Sequence, residues 1–172
     1  MQEKIIWTIG HSTHTFDEFI VLLKSFQIEL VVDIRSLPGS RRYPHFNKEF
    51  LEIQLPKNGI YYLHLRELGG RRKMRTDSTN TGWRLASFRG YADYMETLAF
   101  KNAIEQLELL ALPKRTVFMC SESLWWRCHR SLVSDYLKFH KWKVMHIMGA
   151  AKSTEHSYTK PARITEDGLS YG

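Results

Sequence analysis

The sequence predicts an α/β fold: three layers, with a mostly parallel five-stranded sheet, helices on both faces and a small C-terminal hairpin. Three observations carry that expectation. Five short apolar runs recur along the chain, and segments of helical periodicity alternate with them. Parallel neighbours need a crossover connection, which such alternation supplies. The tail then carries a turn signal, Glu166-Asp167-Gly168, inside ARITEDGLSY. At 172 residues the chain reads as a single domain, 1–172, large enough to bury a core without disulfide or metal staples.

The elements follow in order. KIIWTIGHS is an apolar run that ends in Gly-His-Ser, as a buried strand leaving the sheet would. TFDEFIVLLKSFQI places Phe16, Phe19, Ile20, Leu23 and Phe26 at helical spacing, and Thr15 with Glu18 fits a capping box. LVVDIRS is the second strand; LPGSRRYPHF, broken by Pro and Gly, is a loop. Asn47 is expected to cap the helix KEFLEIQL, and Asn58-Gly59 turns the chain into the third strand, IYYLHL.

Residues 66–90 show no sustained periodicity and read as a long basic loop, of the kind that is usually functional or mobile. YADYMETLAF and KNAIEQLELLAL form one broken helix or two consecutive ones. RTVFMCS is the fourth strand, and RCHRSLVSDYLKFH is a helix with Leu132, Val133, Tyr136 and Leu137 inward. KVMHIM is the fifth strand, and residues 151–172 form a C-terminal extension.

Composition narrows the function classes. Hydrophobic content of 43% and charged content of 25% are those of an ordinary globular protein. No apolar run approaches the roughly 20 residues that cross a bilayer, and MQEKIIWTIG does not read as a signal peptide. A cytoplasmic location and no membrane partner are therefore expected, and two cysteines without an export signal fit a reducing compartment. Homo-oligomer formation stays open. The net charge of +7 is localised: seven cations face two anions between Arg66 and Arg89, and Arg35, Arg41 and Arg42 form a second cluster. Such a field favours an anionic small molecule or nucleic acid, although a solvated basic face would look the same.

In parallel sheets ligands bind where strands end and loops begin. That rule gathers His11 and Ser12, Asp33 and Arg35, His64 and Arg66, and Cys120 and Glu122 on one edge. CSESLWWRCHR, residues 120–130, is the densest stretch. A thiol at a strand end, facing a helix N-terminus, is placed for a lowered pKa, and Arg127, His129 and Arg130 would lower it further. Cysteine phosphatases and rhodaneses share this strand-Cys-loop-helix design, with an arginine six positions after the cysteine. That position here is Trp126.

Three other readings stay open for these residues. Cys120, Cys128 and His129 could ligate a metal, with His11 or His64 completing the set, though the spacing lacks the tight knuckle of structural zinc sites. A redox pair requires the loop to fold Cys128 back onto Cys120. Plain packing is the third, since free cysteines are commonly buried and inert. Around this stretch, Asp33 and Arg35 either pair with each other or meet a ligand. Ser40 and Arg41 sit in a loop suited to phosphate or carboxylate capture, while Gly69 and Gly70 allow close backbone approach. Trp83, Phe88 and Tyr91, interleaved with Arg84 and Arg89, would either stack bases or form the apolar underside of the long loop.

TIGHS, DIRSLPGSRR, HLRELGGRR, FRGYADYM and Cys-x-Glu-x5-Cys-His-Arg stand in the order found in the bacterial family called domain of unknown function 488, which the chain resembles over nearly its whole length. The resemblance implies a cytoplasmic α/β protein whose shared residues here are His11, Ser12, Asp33, Arg35, Ser40, Arg41, Leu68, Gly69, Gly70, Cys120, Glu122, Cys128, His129 and Arg130. It implies no particular reaction. Many members carry a proline between the acidic residue and the second cysteine, where this chain has SLWWR.

The resulting expectation is an enzyme, a cysteine-dependent hydrolase or transferase that uses no cofactor and acts on an anionic substrate, with a nucleotide or modified nucleic acid base as first candidate. Cys120 is the expected nucleophile, His11 or His129 the acid/base, and Glu122 the orienting or relaying carboxylate. Ser12, Asp33, Arg35, Ser40, Arg41, Gly69, Gly70, Cys128 and Arg130 are the expected binding residues, and loop 66–90 would close over the substrate. The alternatives are a non-catalytic nucleic-acid-binding module and a metal-binding protein.

Overall fold

The computed structural model describes residues 2–172. Five strands run parallel as the sequence predicts: β1 (Ile5–Gly10), β2 (Leu30–Asp33), β3 (Tyr61–His64), β4 (Thr116–Cys120) and β5 (Lys143–Gly149). A sixth, β6 (Lys152–Glu155), is added antiparallel to β5, so the sheet order is β3-β2-β4-β1-β5-β6. Lys152-Ser-Thr-Glu155 has no apolar alternation because it is an exposed edge strand, so part of the expected extension belongs to the sheet. The hairpin is present as β7 (Arg163–Thr165) and β8 (Gly168–Ser170), with Gly168 at φ 121° where the turn demands a left-handed residue.

Period-2 alternation distributes the side chains of each strand between two cores. Trp7, Ile9, Val31, Val117 and Met119 pack under α1 (Phe16–Ser25) and α2 (Lys48–Lys57), against Phe19, Leu23, Leu51 and Leu55. Ile6, Leu30, Val32 and Phe118 point the other way. They meet α3 (Ala86–Tyr94), α4 (Leu98–Ala111) and α5 (Arg130–Phe139) through Tyr91, Phe100, Ile104, Leu132 and Leu137. Thr15 and Glu18 make the expected capping box on α1. Asn47 caps nothing with its side chain: its Oδ1 accepts the Ser40 N–H at 2.6 Å and so ties down the preceding loop.

The long loop is shorter and better held than its sequence suggests. A 3-10 turn covers Arg66–Leu68, and α3 begins at Ala86. Between them, Asp93 of α3 accepts from Arg75 N, the Ser78 hydroxyl and Asn80 Nδ2. Tyr91 and Tyr94 donate to the carbonyls of Leu68 and Glu67, and the Arg72 guanidinium lies 3.7 Å over the Tyr94 ring. The helix expected from Tyr91 is present and begins five residues earlier, at Ala86, and α3 and α4 are two consecutive helices, one of the two arrangements expected. Trp83 packs on Phe88 and Tyr171, and Tyr91 is buried, so these rings form the loop's underside and offer no stacking platform. The segment is fastened at several points along its length and is not built as a lid.

The connections out of β1 and β2 pass to the α1–α2 face, whereas those out of β3 and β4 pass to the opposite face. The chain therefore diverges on both sides of β4, opening a crevice at that strand's carboxyl end. Cys120 is the last residue of β4.

Candidate functional site

The crevice is a cleft of about 540 Å³. Of the residues gathered by the strand-end rule, its walls include His11, Ser12, Arg35, Cys120 and Glu122, while Asp33, His64 and Arg66 are not among its lining residues. Ser40, Gly70, Cys128 and His129, expected at the site on other grounds, line it too. Backbone bonds fix the edge: His11 N–H donates to the Cys120 carbonyl and Ser12 N–H to the Ser121 carbonyl, each at 2.9 Å. Gly10 is needed beneath them, because a Cβ there would lie 1.7 Å from the Glu122 carbonyl oxygen. Ser12 holds φ 50°, a strained conformation for a side chain that faces the cleft.

Loop 121–129 brings the two free thiols together: the Cys128 Sγ–H donates to Cys120 Sγ across 2.9 Å. Cys128 Sγ also lies 3.4 Å from His129 Nδ1 and accepts the Arg130 N–H at the start of α5. The other ring nitrogen of His129 faces the Ile34 carbonyl at 3.1 Å. A carbonyl only accepts, so Nε2 carries the proton and Nδ1 presents its lone pair to the Cys128 thiol. Burial, with Arg130 and Arg72 adding to it, depresses the His129 pKa to about 4, so the ring is neutral at pH 7.

Arg130 lies beneath this pair at 2% exposure. Its Nη2 donates to the carbonyls of Glu122 and Ser123 at 3.0 and 3.3 Å, and its Nε finds no acceptor. Among the described residues no carboxylate lies within ion-pair distance of it. A buried cation without a counterion is costly unless an anion forms beside it. Burial pushes the Cys120 thiol up, but the Cys128 hydrogen bond, the Arg130 charge and the Glu122 backbone outweigh burial and bring it from 9.0 down to about 7. The same hydrogen bond and burial drive Cys128 upward, so Cys128 keeps its proton.

The remaining expected residues separate into wall and scaffold. Asp33 is fully buried and grips Arg35 with both oxygens, Nε–Oδ1 at 2.9 Å and Nη2–Oδ2 at 2.7 Å, so the ion-pair alternative holds for these two. Arg35 Nη2 also donates to the Phe46 carbonyl, while Nη1 reaches His11 Nε2 at 3.2 Å. Since guanidinium only donates and the Ser12 carbonyl only accepts, His11 is protonated on Nδ1 and its Nε2 is occupied. Stacked on Phe46 and lowered by burial to about 4, His11 is a neutral prop for Arg35.

Gly69 packs against Ser36, and Gly70 meets the His129 ring, where a Cβ would lie 3.0 Å from Nδ1. These glycines admit Ser36 and His129 at close range. Ser40 Oγ accepts from the N–H groups of Arg42 and Tyr43, shaping the loop rather than reaching outward. Arg41 is exposed and outside the cleft wall, and Arg130 lies behind the wall. His64 donates to the Arg35 carbonyl at 2.7 Å. Among the described residues no group of three or more His, Cys, Asp or Glu is arranged to hold a metal ion.

Two features escaped the sequence reading. Arg71 lines the cleft at φ 61°, with no hydrogen-bond or ion-pair partner for its side chain among the described residues; the basic run contained it but nothing singled it out. Behind the cysteine loop runs a buried chain: the Thr8 hydroxyl to His146 Nδ1 at 2.6 Å, His146 Nε2 to His156 Nδ1 at 2.8 Å, and His156 Nε2 to Asp135 at 2.7 Å. Thr159 and Tyr171 also bind Asp135, fastening the tail, and Trp125 stacks on His146 at 4.4 Å. A histidine inside the apolar run KVMHIM was the available signal.

One family model matches the chain, over residues 15–137, and its description is Domain of unknown function DUF488. That span holds both cysteines, Asp33 and Arg35 and stops within α5; His11 and Ser12 precede it, and the tail lies beyond it. No curated protein and no solved structure matches the chain.

Proposed function

The chain belongs to the family described as Domain of unknown function DUF488, and we propose that within it this protein is a cysteine-dependent hydrolase or transferase acting on an anionic substrate. The observation that carries this reading is Cys120 in the cleft wall beside Arg130, a buried guanidinium with no carboxylate partner. The thiolate is the anion that Arg130 lacks. In the reaction, Cys120 Sγ attacks the electrophilic centre, a bond from sulfur to that centre forms, and the leaving group departs and takes a proton. Water or a second acceptor then displaces the sulfur, returning the thiolate.

Glu122 is the carboxylate open to the cleft and is assigned the proton transfers. The Arg130 backbone N–H, donating to Cys128 Sγ, holds the thiolate's hydrogen-bond donor in place, and His11 positions Arg35. Arg71, unpaired at the cleft, is the cation assigned to the substrate's charge. The aromatic support for a nucleobase substrate is gone, so a small anion fits the site better than a stacked base. A cytoplasmic setting accords with two free thiols, and no described helix is long and apolar enough to cross a membrane.

Exposed Arg66, Lys73 and Arg84 keep a non-catalytic, nucleic-acid-binding reading alive. It requires binding that weakens steeply with salt and survives Cys120→Ala. The deciding experiment is the pH dependence of iodoacetamide alkylation in a Cys128→Ser background. A midpoint near 7 supports the enzyme reading; a thiol that reacts only after unfolding returns Cys120 to packing.

A further inference from the structure

The proposed chemistry uses Cys128 only as a hydrogen-bond donor, yet the geometry points to a second activity. We infer that Cys120 and Cys128 form a reversible dithiol–disulfide couple, in which Cys120 is oxidised by a hydroperoxide and Cys128 resolves it. This rests on the activated Cys120 of the proposed function, but adds a partner, a product and an oxidant class.

The sulfurs are 2.9 Å apart, so closing to a disulfide of about 2.05 Å needs an approach of about 0.9 Å, within reach of side-chain rotation. Both cysteines are free thiols. His129 Nδ1, unprotonated and 3.4 Å from Cys128 Sγ, is placed to take the resolving thiol's proton.

In the first step the Cys120 thiolate attacks the distal peroxide oxygen. The O–O bond breaks, an S–O bond forms, and the alkoxide or hydroxide leaves and takes a proton from water; sulfur is oxidised by two electrons and the peroxide reduced. In the second step the Cys128 sulfur attacks the Cys120 sulfenic sulfur while its proton passes, by way of His129 Nδ1, to the departing oxygen, so that no free imidazolium accumulates. The S–S bond forms as the S–O bond breaks, and the hydroxide leaves as water with the proton from His129. Two thiols and one hydroperoxide give one disulfide, one alcohol (water, when hydrogen peroxide is the oxidant) and one water. The disulfide removes the anion beside Arg130, leaving that cation unpaired, which favours re-reduction by a dithiol.

The test is a titration of the full chain with hydrogen peroxide, followed by denaturing alkylation and intact-mass measurement, with and without dithiothreitol. Both free thiols should disappear together in monomeric protein and return on reduction. Cys128→Ser should instead accumulate a dimedone-reactive sulfenic acid at Cys120, and Cys120→Ser should leave Cys128 alkylatable. Sulfinic acid at Cys120 with Cys128 still free, or no loss of thiol, overturns the inference. The alkylation midpoint separates it from the parent reading. A midpoint near 7 without a disulfide sinks the couple alone; a disulfide with an ordinary midpoint sinks the enzyme reading alone.

Discussion

Replacing Arg130 by methionine keeps most of the side-chain length and removes the one buried charge beside Cys120. The descent of that thiol from 9.0 to about 7, achieved against burial, corresponds to about 3 kcal/mol in favour of the thiolate. Without the cation the hydrogen-bond donor at position 128 and the Glu122 backbone still favour the thiolate while burial opposes it, so the midpoint should rise from about 7 toward the ordinary 9. If the whole shift were lost, the thiolate fraction at pH 7 would fall from about one half to about one hundredth, roughly 50-fold, which is the upper limit of the effect. The more basic thiolate is intrinsically the better nucleophile, by about 6- to 10-fold at a Brønsted slope of 0.4–0.5, so at that limit the rate at pH 7 falls only about 5- to 8-fold. The midpoint is therefore the decisive reading.

The assay is iodoacetamide alkylation from pH 5 to 10 in a Cys128→Ser background, which leaves a hydroxyl beside Cys120 and a single thiol to follow. Circular dichroism checks that the variant folds. A midpoint that stays near 7 in folded Arg130→Met protein refutes the argument, because the thiolate would then owe nothing to the buried guanidinium.

Two further outcomes follow from the same geometry. Gly10→Ala sets a Cβ against the Glu122 backbone, at 1.7 Å from its oxygen, where no side-chain rotation gives relief. It should cost about 1–3 kcal/mol or more and shift the Cys120 alkylation profile; a wild-type thermal midpoint would show that loop 121–129 moves freely. Acid is the second perturbation. His11 and His129 are held near pKa 4 against an ordinary 6.5, so between those values the unfolded chain binds protons that the folded one refuses. Stability should fall as pH drops from 6.5 toward 4, by up to about 3 kcal/mol for each ring. Urea midpoints at pH 7 and 4.5 measure the loss, and a difference undiminished in His11→Gln would remove that ring from the account.

How much of this was legible beforehand depends on whether the signal is local. Strand-helix alternation, the Thr15–Glu18 capping box and the Gly168 turn are written in neighbouring residues, and each is where periodicity placed it. The convergence of His11, Asp33, Arg35 and Cys120 followed from one rule about parallel sheets. The sixth strand was not legible: an exposed edge strand needs no apolar alternation, and its partner, not its composition, makes it a strand. Of helix α3 only the start was missed: Ala86 to Gly90 read as loop, whereas Tyr91 to Tyr94 fall in the expected helix.

By itself, then, the sequence determined an α/β sheet with a cysteine at the end of its fourth run and basic residues nearby. Only the tertiary structure decided what each charge faces. Arg35 is spent on Asp33, Arg41 stands outside the cleft, Arg71 remains open, and Arg130 is buried with no anion except the thiol it adjoins. Charge and reactivity are properties of distance and burial, and both are set by contacts between residues such as Cys120, Cys128 and Arg130 that no local pattern ties together. A redox pair required the loop to fold Cys128 back onto Cys120, and the folded loop does so, with the sulfurs 2.9 Å apart.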